Sequence, residues 1–185
     1  VFETFDKFLE RVDFYLKKYD PNHLNLGMRF ADCSDKLIEK IGKRFDVFSI
    51  NSYSLMPSKD YMDRIDKLAG RPILIGEYHF GTPDRGMAAG IVQVANQKER
   101  GNAFRYYNEQ GYSHPSLIGT HWFQWIDQPN TGRGDGENYN IGFIDVTDRP
   151  YPDMVEAMKF TFGRLYDIHA GKTSPYDIKP LIQSY

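Results

Sequence analysis

The spacing of apolar residues switches repeatedly between helical and strand periods, and this alternation limits the folds available to the chain. From Phe5 to Tyr19 the apolar residues recur at steps of three and four, which predicts an amphipathic helix. Four strand–helix units follow, with strands predicted at 24–30, 45–53, 73–76 and 117–122, a long helix at 88–109 and a last helix from Pro152 to Tyr166. This order is typical of parallel strands joined by crossover helices, so we expect an α/β fold.

Polar residues collect on one face of two predicted strands. Asn25 and Arg29 alternate with apolar neighbours in the first strand, and Ser49, Asn51 and Tyr53 share one face of the second. Parallel strands buried on both faces normally read as continuous apolar runs. We therefore expect a functional site on this face, towards the carboxyl ends of the strands.

Composition excludes several classes of protein. Apolar residues make up 41% of the chain and the net charge is −2, which argues against a disordered chain and against a nucleic-acid partner held by phosphate neutralisation. A single cysteine, Cys33, excludes an internal disulfide framework and a cysteine-based zinc site. No apolar run approaches the roughly 20 residues of a membrane span, so no membrane partner is expected.

The third predicted strand delivers a carboxylate to its carboxyl end. Four apolar or small residues precede Glu77, and His79 follows two residues later on the same face. A carboxylate at the tip of a buried strand is costly to desolvate unless another group pairs with it or the protein uses it. Glu77 is therefore the leading candidate for a catalytic residue.

The fourth strand continues into an unusual mixture of aromatic and polar residues. Trp122 and Trp125 fall within four residues of each other, among Gln124, Asp127 and Gln128. Aromatic faces stack on the CH groups of sugars, while amides and carboxylates bind sugar hydroxyls. This cluster favours recognition of a carbohydrate.

These segments together resemble a known family, the retaining glycoside hydrolases of clan A. The matching residues are Asn51-Ser52-Tyr53, Gly76-Glu77-Tyr78-His79 and His121-Trp122-Phe123-Gln124-Trp125. The loop from Asp127-Gln128-Pro129 to Asn140-Ile141-Gly142 is most similar to β-agarase-type members, with β-galactosidase-type relatives behind them. The resemblance implies that residues 1–171 form the C-terminal half of a (β/α)8 TIM barrel, strands five to eight with their helices. Residues 172–185 read as an extended tail.

The resemblance also implies roles for individual residues. Glu77 would be the nucleophile of a retaining mechanism, and Tyr53 would donate a hydrogen bond that orients Glu77 and keeps it ionised. Trp122 or Trp125 would form the aromatic platform, and strand parity does not decide between them because a bulge near His121 would exchange the faces. The candidate substrate contacts are Asn51, His79, Gln124, Asp127 and Asn138, with Arg29 as a more distant one. The substrate would be a galactose-containing polysaccharide or oligosaccharide.

One part of the family pattern is missing. The acid/base residue follows an Asn at the end of strand four, but the pair Asn108-Glu109 lies in a predicted helix. We therefore expect the acid/base and the N-terminal half of the barrel, the main partner of this chain, to lie outside it. The chain begins at Val1 already in a helix, so its true N-terminus is expected to be missing. Alone, it is expected to hydrolyse nothing.

Two other functions stay open. One is a non-catalytic carbohydrate-binding barrel module. The other is a metal-dependent TIM-barrel hydrolase that uses His79, His121 and Asp127, although the usual His-x-His spacing is absent. The leading hypothesis needs neither metal nor cofactor. A localisation signal would lie outside this chain, and a polysaccharide-degrading enzyme would act in the periplasm or outside the cell.

Overall fold

The computed structural model describes residues 2–182, which form a parallel four-stranded sheet packed against helices. The elements, in chain order, are α1 (Phe2–Tyr19), β1 (Arg29–Phe30), α2 (Asp35–Gly42), β2 (Phe48–Asn51), α3 (Lys59–Ala69), β3 (Ile73–Tyr78), α4 (Gln97–Tyr112), β4 (Leu117–Trp122), α5 (Pro152–Phe162) and α6 (Leu165–His169). The strands lie in the order β1-β2-β3-β4 and every neighbouring pair is parallel. The predicted α/β class is confirmed.

The main core lies between one face of the sheet and the helices. Phe48 and Ile50 from β2 and Ile73 and Ile75 from β3 are almost fully buried, and they pack in one cluster with buried residues of α2, α3 and α4. At roughly 1.5–3 kcal/mol for each large apolar side chain, this burial is the main force that keeps the helices on that face. The opposite face of the sheet is left to carry the polar residues of the predicted site.

Local signals set the start of several helices. The Ser58 hydroxyl accepts a hydrogen bond from the backbone N–H of Tyr61 at the start of α3, and the Asn96 side chain accepts one from Glu99 at the start of α4. Pro152 occupies the first turn of α5, where its missing N–H costs nothing. Among residues 2–182, no helix combines the length and the apolar character needed to span a bilayer.

The first strand is much shorter than predicted. We expected residues 24–30, but β1 contains only Arg29 and Phe30. The backbone of Gly27 has a φ of 72°, a conformation that interrupts a strand, and a Cβ at this position would lie 2.4 Å from the ring of Phe45. The segment before β1 therefore crosses over Phe45 instead of extending the sheet.

The long helix also differs from the prediction, which began it at Ala88. Residues 81–96 instead form a loop that returns to the end of β3, with hydrogen bonds from Gly81 N–H to Val92 O (3.0 Å) and from Val94 N–H to Gly81 O (2.9 Å). The helix begins only after the Asn96 cap. The buried apolar residues of this loop, Met87, Ala89 and Val94, are separated by two and five positions, which is not a helical spacing.

The C-terminal region contains two helices where one was predicted. Gly163 and Arg164 separate α5 from α6. Residues 172–182 then run along α4, where the N–H of Tyr176 donates to Glu109 Oε2 (2.9 Å) and that of Leu181 to Glu99 Oε2 (2.8 Å). The predicted boundary between a barrel half and a tail at residue 171 stays a prediction.

Apolar side chains are exposed beside both edge strands. Leu24, Leu26 and Met28 are exposed before β1, and Ile118 on β4 is 52% exposed. Beside β4, a groove of about 490 Å³ is lined by mostly aromatic and aliphatic side chains of four elements: Tyr112, Leu117, Ile118, Phe162, Leu165, Tyr166 and His169. Edge strands flanked by exposed apolar surface are prone to associate with other chains.

We therefore expect the 185-residue chain, expressed alone, to be insoluble, molten or associated with further copies. Sedimentation velocity and chemical denaturation measure this directly. Tyr166, which is 90% exposed, offers a check, because Tyr166→Lys should reduce association if the apolar groove drives it. A monodisperse monomer with one cooperative unfolding transition would contradict this expectation.

Candidate functional site

The tip of β3 carries Glu77, and an irregularity of the sheet sets the face on which it lies. Ile50 of β2 pairs with Ile75 of β3, but the next pair is Asn51 with Glu77, so β3 contains one extra residue, Gly76. Strict alternation would put Glu77 on the same face as Ile75, which is fully buried in the core. The extra residue places Glu77 beside Asn51, on the face predicted to hold the site.

Two side chains from neighbouring segments hold the Glu77 carboxylate. The Tyr53 hydroxyl, just beyond β2, donates a hydrogen bond to Oε1. Nη1 of Arg29, on β1, forms an ion pair with Oε2 at 3.1 Å. Each oxygen therefore has its own partner, a hydrogen-bond donor for Oε1 and a cation for Oε2, and together they orient the carboxylate. The Glu77 side chain is still 18% exposed and can be approached from solvent.

Tyr53 is suited to act as a hydrogen-bond donor. Burial raises the pKa of its phenol far above the usual value, and the hydrogen bond to Glu77 and the negative charges of Glu77 and Glu137 raise it further. The phenol therefore stays protonated throughout the physiological range. A protonated phenol can only donate towards a carboxylate, as the predicted orienting role requires.

Arg29 lies closer to Glu77 than the sequence suggested. We expected a more distant contact to substrate, but Nη1 touches the Glu77 carboxylate and also donates to the backbone O of Gly76 at 3.0 Å. The guanidinium is half-exposed. The sequence placed Arg29 on the correct face but could not show how far its long side chain reaches across the sheet.

His79 is buried behind Tyr53. Its Nε2 accepts a hydrogen bond from the N–H of Ile91 (2.8 Å), so its Nδ1 must carry the proton that is donated to the backbone O of Phe123 (3.1 Å). The imidazole ring stands edge-on to the Tyr53 ring, with centroids 4.8 Å apart. His79 thus connects the loops that follow β3 and β4 and packs against the donor to Glu77. With both nitrogens engaged and 1% of its surface exposed, it contacts its own chain where a sugar contact was predicted.

The two tryptophans have different surroundings. Trp122 pairs with Tyr78 across the sheet, stacks on Phe143 with centroids 5.1 Å apart, and donates from Nε1 to the backbone O of Ile141 (2.7 Å). Its ring therefore packs in the layer between sheet and helices. Trp125, in the loop beyond β4, is 64% exposed. Of the two candidates for the aromatic platform, Trp125 has the ring face available to a ligand.

Asp127 sits in a buried polar network. One of its carboxylate oxygens accepts hydrogen bonds from Asn140 (2.8 Å) and the Tyr151 hydroxyl (2.6 Å), and the other accepts from the N–H of Gly142 (2.6 Å). The fully buried Arg100 donates to the backbone O of the same Gly142 at 2.6 Å. We predicted Asp127 as a hydroxyl contact, and the structure shows it instead binding together the ends of the loop 127–142.

The remaining predicted substrate contacts, Asn51, Gln124 and Asn138, are all half-buried. Asn51 faces the same side as Glu77, and within the described residues its Oδ1 is buried without a hydrogen-bond partner. Gln124 donates to the backbone O of Ile126 at 2.9 Å, and Asn138 is half-buried in the loop 127–142. An unpaired buried oxygen is costly, so Asn51 is the one of these three with a physical reason to bind a ligand.

The predicted metal-dependent alternative lacks a ligand cluster. Among residues 2–182, no group of three or more His, Cys, Asp and Glu side chains is arranged to hold a metal ion. His79 uses both ring nitrogens for backbone groups, and Asp127 uses both oxygens. A shared metal site would require these contacts to break.

Sequence reasoning also missed Glu137 as part of this region. Its negative charge helps to raise the pKa of Tyr53, which places it near the site. Its carboxylate accepts from Gln128 (2.9 Å) and pairs with Arg133 (3.2 Å). The available signal was the sequence Gly132-Arg133-Gly134-Asp135-Gly136-Glu137, which brings a cation and two acids together in one tight loop.

His79 should titrate at unusually low pH. Burial lowers its pKa to about 4, whereas the hydrogen bond to Asp20 raises that of exposed His23 above its ordinary value. Because the folded state holds His79 neutral, the contribution of His79 to the free energy of unfolding is fully present above pH 6.5. This contribution is lost as the pH falls towards 4, and the loss amounts to about 3 kcal/mol. Hydrogen exchange at the imidazole C2 position, followed by mass spectrometry of the folded protein, measures both midpoints. A midpoint for His79 at or above that of His23 would contradict its burial.

Comparison with known proteins gives the context for this geometry. No protein-family model matches the sequence. Over 158 residues, 83% of the chain, it is 42% identical to Beta-agarase B of Vibrio sp. (strain JT0107), and over 161 residues it is 38% identical to Beta-agarase A of the same organism. The chain spans about 16% of the length of these relatives.

A solved structure described as that of an exo-β-agarase superimposes with a TM-score of 0.84 at 38% identity. The match covers 90% of this chain and 23% of the other. The agreement thus extends over nearly all of the described fold but over a minor part of the larger protein. The resemblance to β-agarase-type glycoside hydrolases predicted from the sequence is therefore confirmed, and the chain corresponds in sequence and fold to one part of such proteins.

Proposed function

We propose that this chain forms the C-terminal half of the catalytic (β/α)8 barrel of a retaining β-glycosidase that cleaves a galactose-containing polysaccharide of the agarose type. The observation that carries the proposal is the Glu77 carboxylate at a strand tip, held by a phenol and a guanidinium from two other strands. The similarity to Beta-agarase B over 83% of the chain supports the same class of substrate.

In this proposal Glu77 is the nucleophile. Retaining glycosidases use two carboxyl groups about 5–5.5 Å apart, one that attacks the anomeric carbon and one that donates and then removes a proton. Tyr53 and Arg29 support the first role because they fix the carboxylate and leave part of it accessible. Pure binding of a neutral sugar does not require a carboxylate held by both a phenol and a cation, so the geometry favours an enzyme over a non-catalytic module.

The second carboxyl group belongs to the missing half of the barrel. Glu109, which follows Asn108, is fully buried in α4 and bonded to Thr161 and Tyr176, on the helical side of the sheet. The strands β1 and β4 at the two edges would pair with strands four and one of the missing half, which would also cover the exposed apolar surface beside them. The chain alone would then lack hydrolytic activity.

The remaining residues divide into binding and supporting roles. We assign Trp125 to the aromatic platform, and Asn51, Gln124 and Asn138 to contacts with sugar hydroxyls. His79 and Asp127 hold the loops that present these groups. Trp125 has the exposed ring that stacking needs, and Asn51 has the buried oxygen that a sugar hydroxyl would satisfy.

The proposal predicts the behaviour of Glu77→Gln in the complete parent protein. The amide has nearly the same shape but is a far poorer nucleophile, so kcat on agarose oligosaccharides should fall by several orders of magnitude while KM changes little. Glu39→Gln, an exposed substitution on α2, is the matched control and should behave as wild type.

Chemical rescue separates a lost nucleophile from a damaged fold. Glu77→Gly opens space for a small anion, so sodium azide should restore turnover and yield a glycosyl azide of inverted anomeric configuration. Wild-type turnover in Glu77→Gln, or an inactive Glu77→Gly that azide does not rescue although it still binds the oligosaccharide, would count against the assignment.

A further inference from the structure

We propose that Arg29 is a positioning residue that controls the second half of the reaction, the release of the sugar from Glu77. The inference rests on the proposed function, since it needs Glu77 to form a covalent intermediate. It replaces the predicted role of Arg29 as a distant sugar contact with a direct effect on the carboxylate. Three features of the structure carry it.

The first feature is the contact itself. Nη1 of Arg29 lies 3.1 Å from Glu77 Oε2 and also donates to the backbone O of Gly76 at 3.0 Å. The hydrogen bond to the carbonyl of Gly76 therefore anchors the guanidinium beside the carboxylate, where it attracts Glu77 as a cation.

The second feature is the space that Gly76 leaves for the side chain. A Cβ at position 76 would lie 2.4 Å from Arg29 Cδ and 2.8 Å from Ser49 Oγ, both closer than real Cβ contacts. The aliphatic part of Arg29 therefore crosses the sheet directly over Gly76. The same residue shifts the register of β3 and brings Glu77 to this face, so a single glycine creates both halves of the ion pair.

The third feature is the difference between the two partners of Glu77. Tyr53 donates a hydrogen bond to Oε1, and Arg29 forms an ion pair with Oε2. Tyr53 is neutral, so its hydroxyl can donate a hydrogen bond to Glu77 both when Glu77 is a free carboxylate and when it is an ester. Arg29 is a cation, and its attraction for the carboxylate is much stronger than for the neutral ester.

The two steps of the reaction show which of them depends on the positive charge of Arg29. In the first step a Glu77 oxygen attacks the anomeric carbon, the bond to the leaving oxygen breaks, and that oxygen takes a proton from the carboxyl group in the missing half. In the second step water attacks the anomeric carbon and gives a proton to the same carboxyl group, now ionised. The ester bond breaks and its electron pair returns to Glu77. Negative charge therefore reappears on Glu77 in the second step, next to Arg29.

Loss of Arg29 should consequently slow the second step more than the first. In the complete parent protein, Arg29→Met should lower kcat on an activated substrate by about 10²-fold, the low end for one lost donor at a developing charge because Arg29 is half-exposed. KM should fall as well, since the covalent intermediate accumulates, and kcat/KM should change much less.

The experiment uses the dinitrophenyl β-glycoside of the shortest agarose oligosaccharide that the wild-type protein hydrolyses. Rapid mixing with Arg29→Met should release a burst of dinitrophenol equal to the enzyme concentration, followed by slow turnover. Mass spectrometry of the quenched sample should show the glycosylated protein. Arg11→Met, on the exposed surface of α1, is the control and should give wild-type kinetics.

A second variant tests the position of Arg29 while keeping its charge. Gly76→Ala should displace the Arg29 side chain and produce the same burst, and the double variant should be no slower than the slower single variant, because both remove one interaction. Arg29→Lys keeps a cation without the planar group and should lie between wild type and Arg29→Met. If thermal denaturation shows that Arg29→Met is unfolded, the kinetics of Arg29→Lys are used in its place.

The outcomes separate this inference from the proposed function. A raised KM with unchanged kcat in Arg29→Met would mean a plain sugar contact and would overturn the inference while the proposed function stands. Wild-type kinetics in both Arg29→Met and Arg29→Lys would also overturn it. A wild-type parent protein that hydrolyses no agarose oligosaccharide would overturn the proposed function, and the inference with it.

Discussion

The arrangement of this four-stranded sheet centres on the ion pair and the hydrogen bond that hold Glu77. A partly buried carboxylate is unfavourable unless other groups supply its hydrogen bonds. Here a cation from β1 and a hydrogen-bond donor from the segment after β2, both far from Glu77 in sequence, stabilise it. Their convergence depends on the strand register, which in turn depends on the extra residue Gly76. The apolar core on the other face fixes that register and so the geometry of the carboxylate.

The loops around Glu77 are held by buried polar residues. His79 joins the loops after β3 and β4 through its two ring nitrogens, and Arg100 and Asp127 join α4 to the ends of the loop 127–142. Each of these buried groups has its hydrogen bonds satisfied within the chain, so the network adds rigidity at little cost. Rigid loops on a rigid sheet are what a site needs if it is to hold a carboxylate and a sugar in fixed relation.

The alternation of strands and helices was predictable from the sequence because it follows from hydrophobic periodicity alone. The observed bounds of β4, Leu117–Trp122, agree with the prediction. The prediction differs from the structure where tertiary contacts override periodicity, as in the short β1 beside Phe45 and in residues 88–96, which belong to a loop and not to the predicted long helix. The position of Glu77 at a strand end was also predictable. The face on which Glu77 lies, the reach of Arg29 and the separate surroundings of Trp122 and Trp125 depend on register and side-chain packing that one sequence does not reveal.

The proposed role of Glu77 as nucleophile requires that it form a covalent bond to the sugar. A 2-deoxy-2-fluoro glycoside with an activated leaving group tests it directly, because the fluorine slows both steps and the good leaving group restores only the first. After incubation with the complete parent protein, digestion and mass spectrometry should find one added glycosyl group on the peptide containing Glu77, and none in Glu77→Gln. Labelling of any other carboxylate, with Glu77 unmodified in an inactivated protein, would contradict the account.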